Sequence, residues 1–278
     1  MMNSFEIHDL FAAYLLLAVF ALAIGSLLNV IIYRLPLMMF ADWTNKENKI
    51  NLFFPRSFCP HCKTTIPARQ NIPLLSYCLQ RGRCKSCQQS IAWRYPLVEL
   101  ASCLLSLFAA WHFGFNLNLF FALCFIWLLI ALFFIDLEHQ LLPDSLTLSL
   151  VWLGLLANTQ SLFTSLSTAV FSTVLAYLSL RFFIYLYYLL RKKEGMGHGD
   201  FKLFAAFGAW FGWQLLPMIL LMAALTGAII GGVYLHSQQK TKDTPFAFGP
   251  FLCLAGLIAL FWGKSLLDGY ISWLVLSS

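Results

Sequence analysis

Residues 115–136 read FNLNLFFALCFIWLLIALFFID, a run of twenty-one mostly apolar residues that ends at an aspartate. Wound as an α-helix, a run of this length crosses a bilayer hydrocarbon core of about 30 Å. Its continuous apolar character differs from the alternating pattern of a membrane β-barrel strand, and only helices and closed barrels satisfy their backbone polar groups in lipid. The stretch therefore predicts an all-α polytopic membrane protein.

The composition extends this prediction to the whole chain. Hydrophobic residues make up 60% of the 278 residues and charged residues 11%, whereas a soluble domain is about 25% charged. The first apolar run is too long for a signal-peptide core, and we interpret it as a retained helix. Eight candidate transmembrane helices are predicted: Phe11–Tyr33, Pro96–Phe113, Phe115–Ile135, Ser145–Phe163, Thr164–Leu190, Phe201–Leu216, Pro217–Leu235 and Phe246–Leu276.

The basic residues indicate the topology. Sixteen of the eighteen Lys and Arg residues fall in the first, fifth and seventh loops between these helices, counting Lys202 at the edge of the sixth helix with the fifth loop. Ten of them lie between Arg34 and Arg94. By the positive-inside rule these loops are cytoplasmic and both termini are periplasmic. The same distribution explains the net charge of +6 through the lipid bilayer, with no nucleic-acid partner expected. The predicted domains are a first transmembrane helix (1–33), a cytoplasmic loop domain (34–95) and a seven-helix membrane domain (96–278).

The long first loop carries two CxxC knuckles separated by twenty-one residues, formed by Cys59, Cys62, Cys84 and Cys87. Each knuckle presents two thiolates from one tight turn, and four thiolates complete the tetrahedron of a closed structural zinc site. Disulfides are the alternative, but a cytoplasmic loop is kept reduced. The spacing predicts one structural zinc ion in a small zinc-ribbon-like domain. Cys78 is a spare candidate ligand, and His61 is interpreted as a turn residue.

Five carboxylates lie at the predicted membrane boundaries: Glu99, Asp136, Glu138, Asp144 and Asp200. Ionisable groups at membrane depth are costly and usually functional. Asp144 follows a proline and precedes an apolar run, which favours a helix N-cap. Asp136 ends a helix, where the helix dipole disfavours an anion, and no local interaction accounts for it.

Asp200 stands in the glycine-rich stretch GMGHGDFKLF, residues 195–204. It too is a candidate cap for the helix that follows. One cap does not require Gly195, Gly197 and Gly199, which permit positive φ and the close approach of another backbone, such as an extended peptide. Asp136 and Asp200 are both predicted at the cytoplasmic face. Two carboxylates brought together share a proton, so that one acts as a base on water and the other protonates a leaving amine.

Five stretches in order resemble a known family over nearly the whole chain: GSLLNVIIYRLP (25–36), the two CxxC pairs, RYPLVEL (94–100), IDLEHQLLPD (135–144) and GHGDFKL (197–203). The chain resembles the bacterial type IV prepilin peptidases, which are GxGD aspartic proteases. The resemblance implies an eight-helix inner-membrane enzyme with a zinc-binding cytoplasmic loop. It implies cleavage of the basic leader of prepilins and type II secretion pseudopilins, between glycine and usually phenylalanine, at the cytoplasmic face.

The resemblance also assigns residues. Asp136 and Asp200 match the two catalytic aspartates, and Gly197, Gly199 and Lys202 belong to the active-site loop that meets the substrate. Members with the four-cysteine loop then methylate the new N-terminus with S-adenosylmethionine. The sequence has no glycine-rich nucleotide fingerprint, so this cofactor and its pocket are implied by the resemblance alone.

Several alternatives remain at this stage. A transporter also uses intramembrane carboxylates and glycine breaks. A metal-dependent hydrolase would combine His139 and His198 with the two aspartates, and a scaffold would only present the zinc ribbon to partners. For recognition of a basic leader, the candidate residues are the remaining three boundary carboxylates, Glu99, Glu138 and Asp144.

Overall fold

The computed structural model describes residues 4–43, 51–192, 197–237 and 247–277, and the fold in these ranges is helical. A short helix, α2 (Leu75–Leu79), lies in the cysteine segment, the described residues 51–93 that carry the two CxxC knuckles. Each of the eight predicted spans coincides with one long helix. These helices are α1 (Ser4–Trp43), α3 (Arg94–Phe113), α4 (Leu117–His139), α5 (Asp144–Thr159), α6 (Leu166–Arg191), α7 (His198–Phe211), α8 (Leu216–Ser237) and α9 (Gly249–Ser277).

Six of the described helices are long and apolar enough to cross a membrane. Of the eight helices that match predicted spans, α5 and α7 are not among these six. Helix α5 has 16 residues and α7 has 14. At 1.5 Å per residue they extend about 24 Å and about 21 Å, less than the hydrocarbon core of about 30 Å. Every residue of α7 from Asp200 to Phe211 except Lys202 is buried. A helix enclosed by protein on all sides is not obliged to match the bilayer thickness.

Helix α1 continues ten residues beyond the predicted end at Tyr33, through Pro36. The first basic residue of the predicted loop, Arg34, is therefore helical, and it is buried with 5% of its surface exposed. Its guanidinium donates to three backbone carbonyls of the cysteine segment, those of Asn51 (2.8 Å), Leu52 (3.3 Å) and Pro55 (2.6 Å). Arg34 thus links the start of the cysteine segment, residues 51–55, to helix α1.

The chain forms two compact units, one ending at Leu119 and the other beginning at Phe120. In the first unit α1 packs against α3. A side chain at Gly25 would lie 2.7 Å from the Cα atom of Glu99, and the Ser102 hydroxyl donates to the Ala21 carbonyl at 2.8 Å. The absence of a side chain at Gly25 lets the two backbones approach closely enough for this bond.

In the second unit α7 is the central helix, packed against α5, α6, α8 and α9. Trp210 on α7 is fully buried, and its indole N–H donates to the Leu150 carbonyl of α5 at 2.8 Å. Its ring fills the space beside Gly154, where a Cβ atom would approach the indole to 2.5 Å. At Gly208 a Cβ atom would lie 2.5 Å from the Ser172 carbonyl of α6. These contacts seat α7 among its neighbours and so determine where its first turn, with Asp200, lies.

Candidate active site

Asp136 and Asp200 are both buried inside the second unit, within electrostatic range of each other. Asp136 lies in the last turn of α4 and Asp200 in the first turn of α7. Only 5% and 7% of their surfaces are exposed, and the two carboxyl groups interact electrostatically. Two residues that are far apart in sequence are therefore both buried and close enough for their carboxyl groups to influence each other.

The start of α7 holds Asp200 in place. Gly197 is the N-cap residue, and its amide donates to the Asp200 carboxylate three residues later. The Asp200 amide in turn donates a hydrogen bond to the Gly197 carbonyl at 3.2 Å. This corresponds to the acidic half of a capping box. Asp200 is thus not the N-cap residue itself, although one function of its side chain is to satisfy an amide at the helix start.

Neither Gly197 nor Gly199 acts through positive φ, and Gly199 acts through close packing. Gly197 has φ of −70°, and Gly199 is not among the positive-φ residues of the described chain. A Cβ atom at Gly199 would lie 2.6 Å from the Cβ atom of Leu142 and 3.2 Å from its carbonyl oxygen. The backbone that approaches Gly199 is therefore the chain's own segment before α5. Gly195 lies outside the described residues.

The predicted N-cap role of Asp144 is wrong. Pro143 is the N-cap residue of α5, and no side chain caps this helix. Asp144 instead pairs with Lys202 of α7 at 2.5 Å. A lysine two residues after Asp200 cannot be identified as this partner from local sequence patterns. The ion pair ties the start of α5 to the start of α7, next to the buried carboxylates.

Gly249, the first residue of α9, is a site residue that the sequence analysis missed. Its backbone amide hydrogen-bonds to the Asp136 carboxylate, and a Cβ atom there would lie 2.6 Å from Asp136 Oδ2. One turn later the fully buried Cys253 lies within electrostatic range of both aspartates. The available signal was FGPF, residues 248–251, a glycine–proline helix start before an apolar run.

The other two boundary carboxylates lie elsewhere. Glu99 belongs to the first unit, is 9% exposed, and accepts a hydrogen bond from the Leu74 amide at 2.8 Å. This internal partner argues against the leader-recognition role considered for it. Glu138 lies on α4 with its carboxylate 4.0 Å from the neighbouring His139 ring.

The two histidines do not complete a metal site with the aspartates. Within the described ranges, the four cysteines are the one group that brings three or more ligand atoms together. The ring of His198 instead packs edge-on against Phe201, with centroids 5.7 Å apart. The geometry therefore gives no support to the metal-dependent hydrolase alternative.

The four cysteines of the first unit, Cys59, Cys62, Cys84 and Cys87, form one cluster whose sulfur atoms lie within 4.8 Å of each other. The two knuckles have the same backbone pattern. The amides of Lys63 and Gln88 donate to the carbonyls of the first cysteines at 2.9 Å, and both residues have φ of 58°. Each turn is closed by an antiparallel bridge, Phe58 with Thr65 and Arg83 with Ser90.

The cluster fits a tetrahedral metal ion. The Cys59 and Cys87 sulfur atoms are 3.9 Å apart, and Zn–S bonds of about 2.3 Å imply tetrahedral edges of roughly 3.8 Å. Hydrogen bonding by Thr64 lowers the pKa of the Cys62 thiol to about 6, which favours the thiolate form that a metal binds. Cys78 is exposed and lies outside the cluster.

The arrangement of the aspartates is suited to acid–base chemistry on a water molecule. Asp136 Oδ2 and Asp200 Oδ1 are buried and have no hydrogen-bond partner among the described residues. A pair of carboxyl groups out of bulk water holds one proton more readily than two negative charges. Such a pair can take a proton from water and give one to a leaving amine.

Comparison with known proteins agrees with this division of the chain. Residues 19–113 match the bacterial peptidase A24 N-terminal domain, and residues 123–232 match the type IV leader peptidase family. Three similar proteins are each named prepilin leader peptidase/N-methyltransferase. The Legionella pneumophila protein is 55% identical over 98% of this chain and 99% of its own. The Pseudomonas aeruginosa protein is 47% identical, over 90% of each chain. The Aeromonas hydrophila protein is 46% identical, over 92% of this chain and 93% of its own. No solved structure matches the chain.

Proposed function

The chain belongs to the type IV leader peptidase family, and we propose that Asp136 and Asp200 are its catalytic pair in leader-peptide cleavage. The activity of the chain is that of a prepilin leader peptidase and N-methyltransferase. The observation that carries the residue assignment is the burial of two carboxylates from separate helices within electrostatic range of each other, each with one oxygen that has no hydrogen-bond partner among the described residues.

The proposed mechanism follows from these two free oxygens. A water molecule held between Asp136 Oδ2 and Asp200 Oδ1 loses a proton to the ionised carboxylate as it attacks the scissile carbonyl. The protonated carboxyl group of the pair then donates its proton to the leaving amine as the peptide bond breaks. Burial strengthens the hydrogen bonds that the pair makes to the water and the amide, because little bulk water competes for them.

The substrates of this reaction would be prepilins and type II secretion pseudopilins, cut between glycine and phenylalanine. The charge distribution supports a cytoplasmic position, at the inner membrane, for the loops before α5 and before α7, where the basic leader of such a substrate would lie. Both termini would then be periplasmic. Alkaline phosphatase fused after residue 278 would be active under this topology, and an inactive fusion would reject it.

We also assign a structural zinc ion to the four cysteines. Support comes from the matched knuckles, from the gathering of all four sulfur atoms within 4.8 Å of one another, and from the Cys59–Cys87 sulfur separation of 3.9 Å, which is close to a tetrahedral edge. When bound, the ion would join the two turns. A four-thiolate site leaves no open coordination position, so this ion would shape the segment and take no direct part in cleavage.

S-adenosylmethionine would supply the methyl group for the second activity. The support is that the similar proteins are named N-methyltransferases, and no described residue is assigned to cofactor binding. The acceptor is the amine that cleavage releases, so methylation depends on the peptidase reaction for its substrate.

The catalytic assignment is tested with Asp136→Asn and Asp200→Asn in purified, detergent-solubilised protein. Leader release from a prepilin is followed by gel shift. Loss of a general acid or base is expected to slow cleavage by about 10²–10⁴-fold. Asp268→Asn, an exposed site on α9, is the matched control and should cleave normally. Cleavage near the control rate by either aspartate variant would remove that residue from the mechanism.

Methylation of a pre-cut pilin, measured by mass spectrometry, shows whether the variants remain folded and whether the two activities separate.

A further inference from the structure

The first turn of α9 lies directly against the aspartate pair. The Gly249 amide hydrogen-bonds to the Asp136 carboxylate. A Cβ atom at this position would lie 2.6 Å from Asp136 Oδ2, 3.0 Å from its Cγ atom and 3.1 Å from Cδ1 of Leu142. Real Cβ atoms do not approach other atoms so closely, so any side chain at residue 249 must displace the carboxylate.

Small residues continue along this face of α9. Gly249, Cys253 and Gly256 follow at helical spacings of four and three residues and therefore share one face. Cys253 is buried close to both aspartates, and a Cβ atom at Gly256 would overlap the Phe207 ring of α7. The contact at Gly256 involves packing only, whereas the contact at Gly249 involves a carboxylate oxygen of the site.

We propose that Gly249 is a positioning residue for leader-peptide cleavage: its amide orients the Asp136 carboxylate towards Asp200, and its missing side chain leaves Oδ2 in place. The proposal rests on the catalytic role of Asp136 described above. The displaced atom is one of the two oxygens that lack a hydrogen-bond partner among the described residues. A shift of about 1 Å in a catalytic group can lower the rate by about 10²-fold. The amino end of α9 is thereby a third wall of the site, besides α4 and α7.

The test compares three alanine substitutions on α9 in the full-length protein. Gly249→Ala should lower kcat for leader release by about 100-fold and change KM by less than about twofold, because the catalytic step is affected and substrate binding is not. Gly269→Ala is the matched control, since an added Cβ atom there meets nothing within 4 Å. Gly256→Ala is the packing control, because it disturbs Phe207 without reaching Asp136.

Thermal unfolding of each variant separates positioning from loss of stability. The proposal expects Gly256→Ala to lower Tm while its folded fraction keeps a near-normal kcat. Equal losses of kcat in Gly249→Ala and Gly256→Ala at equal Tm would overturn it, as would a Gly249→Ala enzyme as active as Gly269→Ala. If Gly249→Ala does not fold, Gly249→Ala with Leu142→Ala relieves one of the two close contacts. This double variant should still lose about 100-fold in kcat relative to Leu142→Ala, and full activity would reject the proposal.

Failure of the Gly249 proposal can be distinguished from failure of the proposed function. If Asp136→Asn and Asp200→Asn cleave normally, the proposed function fails whatever Gly249→Ala does. If both aspartate variants are inactive and Gly249→Ala is active, only the positioning role of Gly249 fails.

Discussion

Two carboxylate oxygens, Asp136 Oδ2 and Asp200 Oδ1, are the atoms on which the proposed chemistry depends. Each is buried and unpartnered among the described residues. An unsatisfied buried polar group costs about 1–3 kcal/mol, and more when it is charged. A folded chain keeps such a cost mainly where function requires it. We interpret the cost as the consequence of leaving both oxygens free for water and substrate.

For single residues, the sequence was most informative where an acidic side chain stands at a predicted membrane boundary. Asp136 and Asp200 stand out because acidic residues are rare in the chain and neither has a sufficient local explanation. Gly249 was missed because its contact with Asp136 is made between α9 and α4, and no spacing in the sequence encodes it. The ion pair of Asp144 with Lys202 was missed for the same reason, and a local N-cap pattern was preferred.

Gly199 provides a prediction about one contact. Gly199→Ala should push Leu142 away, because the added Cβ atom would lie 2.6 Å from the leucine Cβ. Overpacking of this kind costs about 1–3 kcal/mol, and it should lower Tm and slow cleavage. Gly269→Ala is the matched control, since an added Cβ atom there meets nothing within 4 Å. Circular dichroism melting in detergent and leader release measure the two effects. Equal behaviour of the two variants would contradict the close-contact role of Gly199.

At the scale of elements, helix α7 is the least typical of the predicted spans. The sequence predicted a helix there from its apolar run, but not that its 14 residues would be buried on nearly every side. Burial on all faces follows from glycines and small residues on α5, α6 and α9, which let those helices approach. Such long-range complementarity depends on pairs of helices, and one helix alone does not reveal it.

The Asp144–Lys202 ion pair connects the start of α5 with the start of α7. Asp144→Lys and Lys202→Asp should each lower kcat/KM for cleavage by about tenfold, because each leaves two like charges facing each other beside the site. The double swap restores opposite charges and should recover most of the loss. Arg69→Asp, a change at an exposed residue outside both CxxC knuckles, is the control for charge alone.

The charge swap also distinguishes an ion pair that holds α5 against α7 from a direct contact with the substrate. If Asp144 or Lys202 instead binds the leader directly, exchanging them does not restore activity and KM remains raised. Michaelis–Menten analysis of the four proteins decides between these outcomes.

The cysteine segment gives a second prediction at this scale. Purified protein should contain one zinc ion per chain by plasma mass spectrometry. Cys62→Ser and Cys84→Ser should lose it, because a site with three thiolates binds zinc more weakly than one with four. Cys78→Ser should retain it, since Cys78 lies outside the cluster. Loss of zinc from Cys78→Ser, or a wild-type protein without zinc, would contradict the assignment.

For the whole molecule, periodicity and charge were sufficient to predict the helical membrane class and the place of every long helix. They were less accurate at the ends. Helix α1 continues past Arg34 to Trp43, because the buried guanidinium of Arg34 has backbone carbonyls as partners and does not require a solvent-exposed loop at that position. The predicted boundaries at residues 33 and 95 remain a hypothesis about domains, while the contacts divide the chain after Leu119.

The whole account depends on the two aspartates acting as one unit. The most direct measurement is the rate of leader release by Asp136→Asn, Asp200→Asn and the double variant, compared with wild type in the same detergent. Groups that act as a unit are strongly non-additive. We therefore predict that the double variant is no slower than either single variant, with all three reduced by about 10²–10⁴-fold. Losses that multiply in the double variant, or one aspartate variant that cleaves at the wild-type rate, would contradict a shared catalytic role.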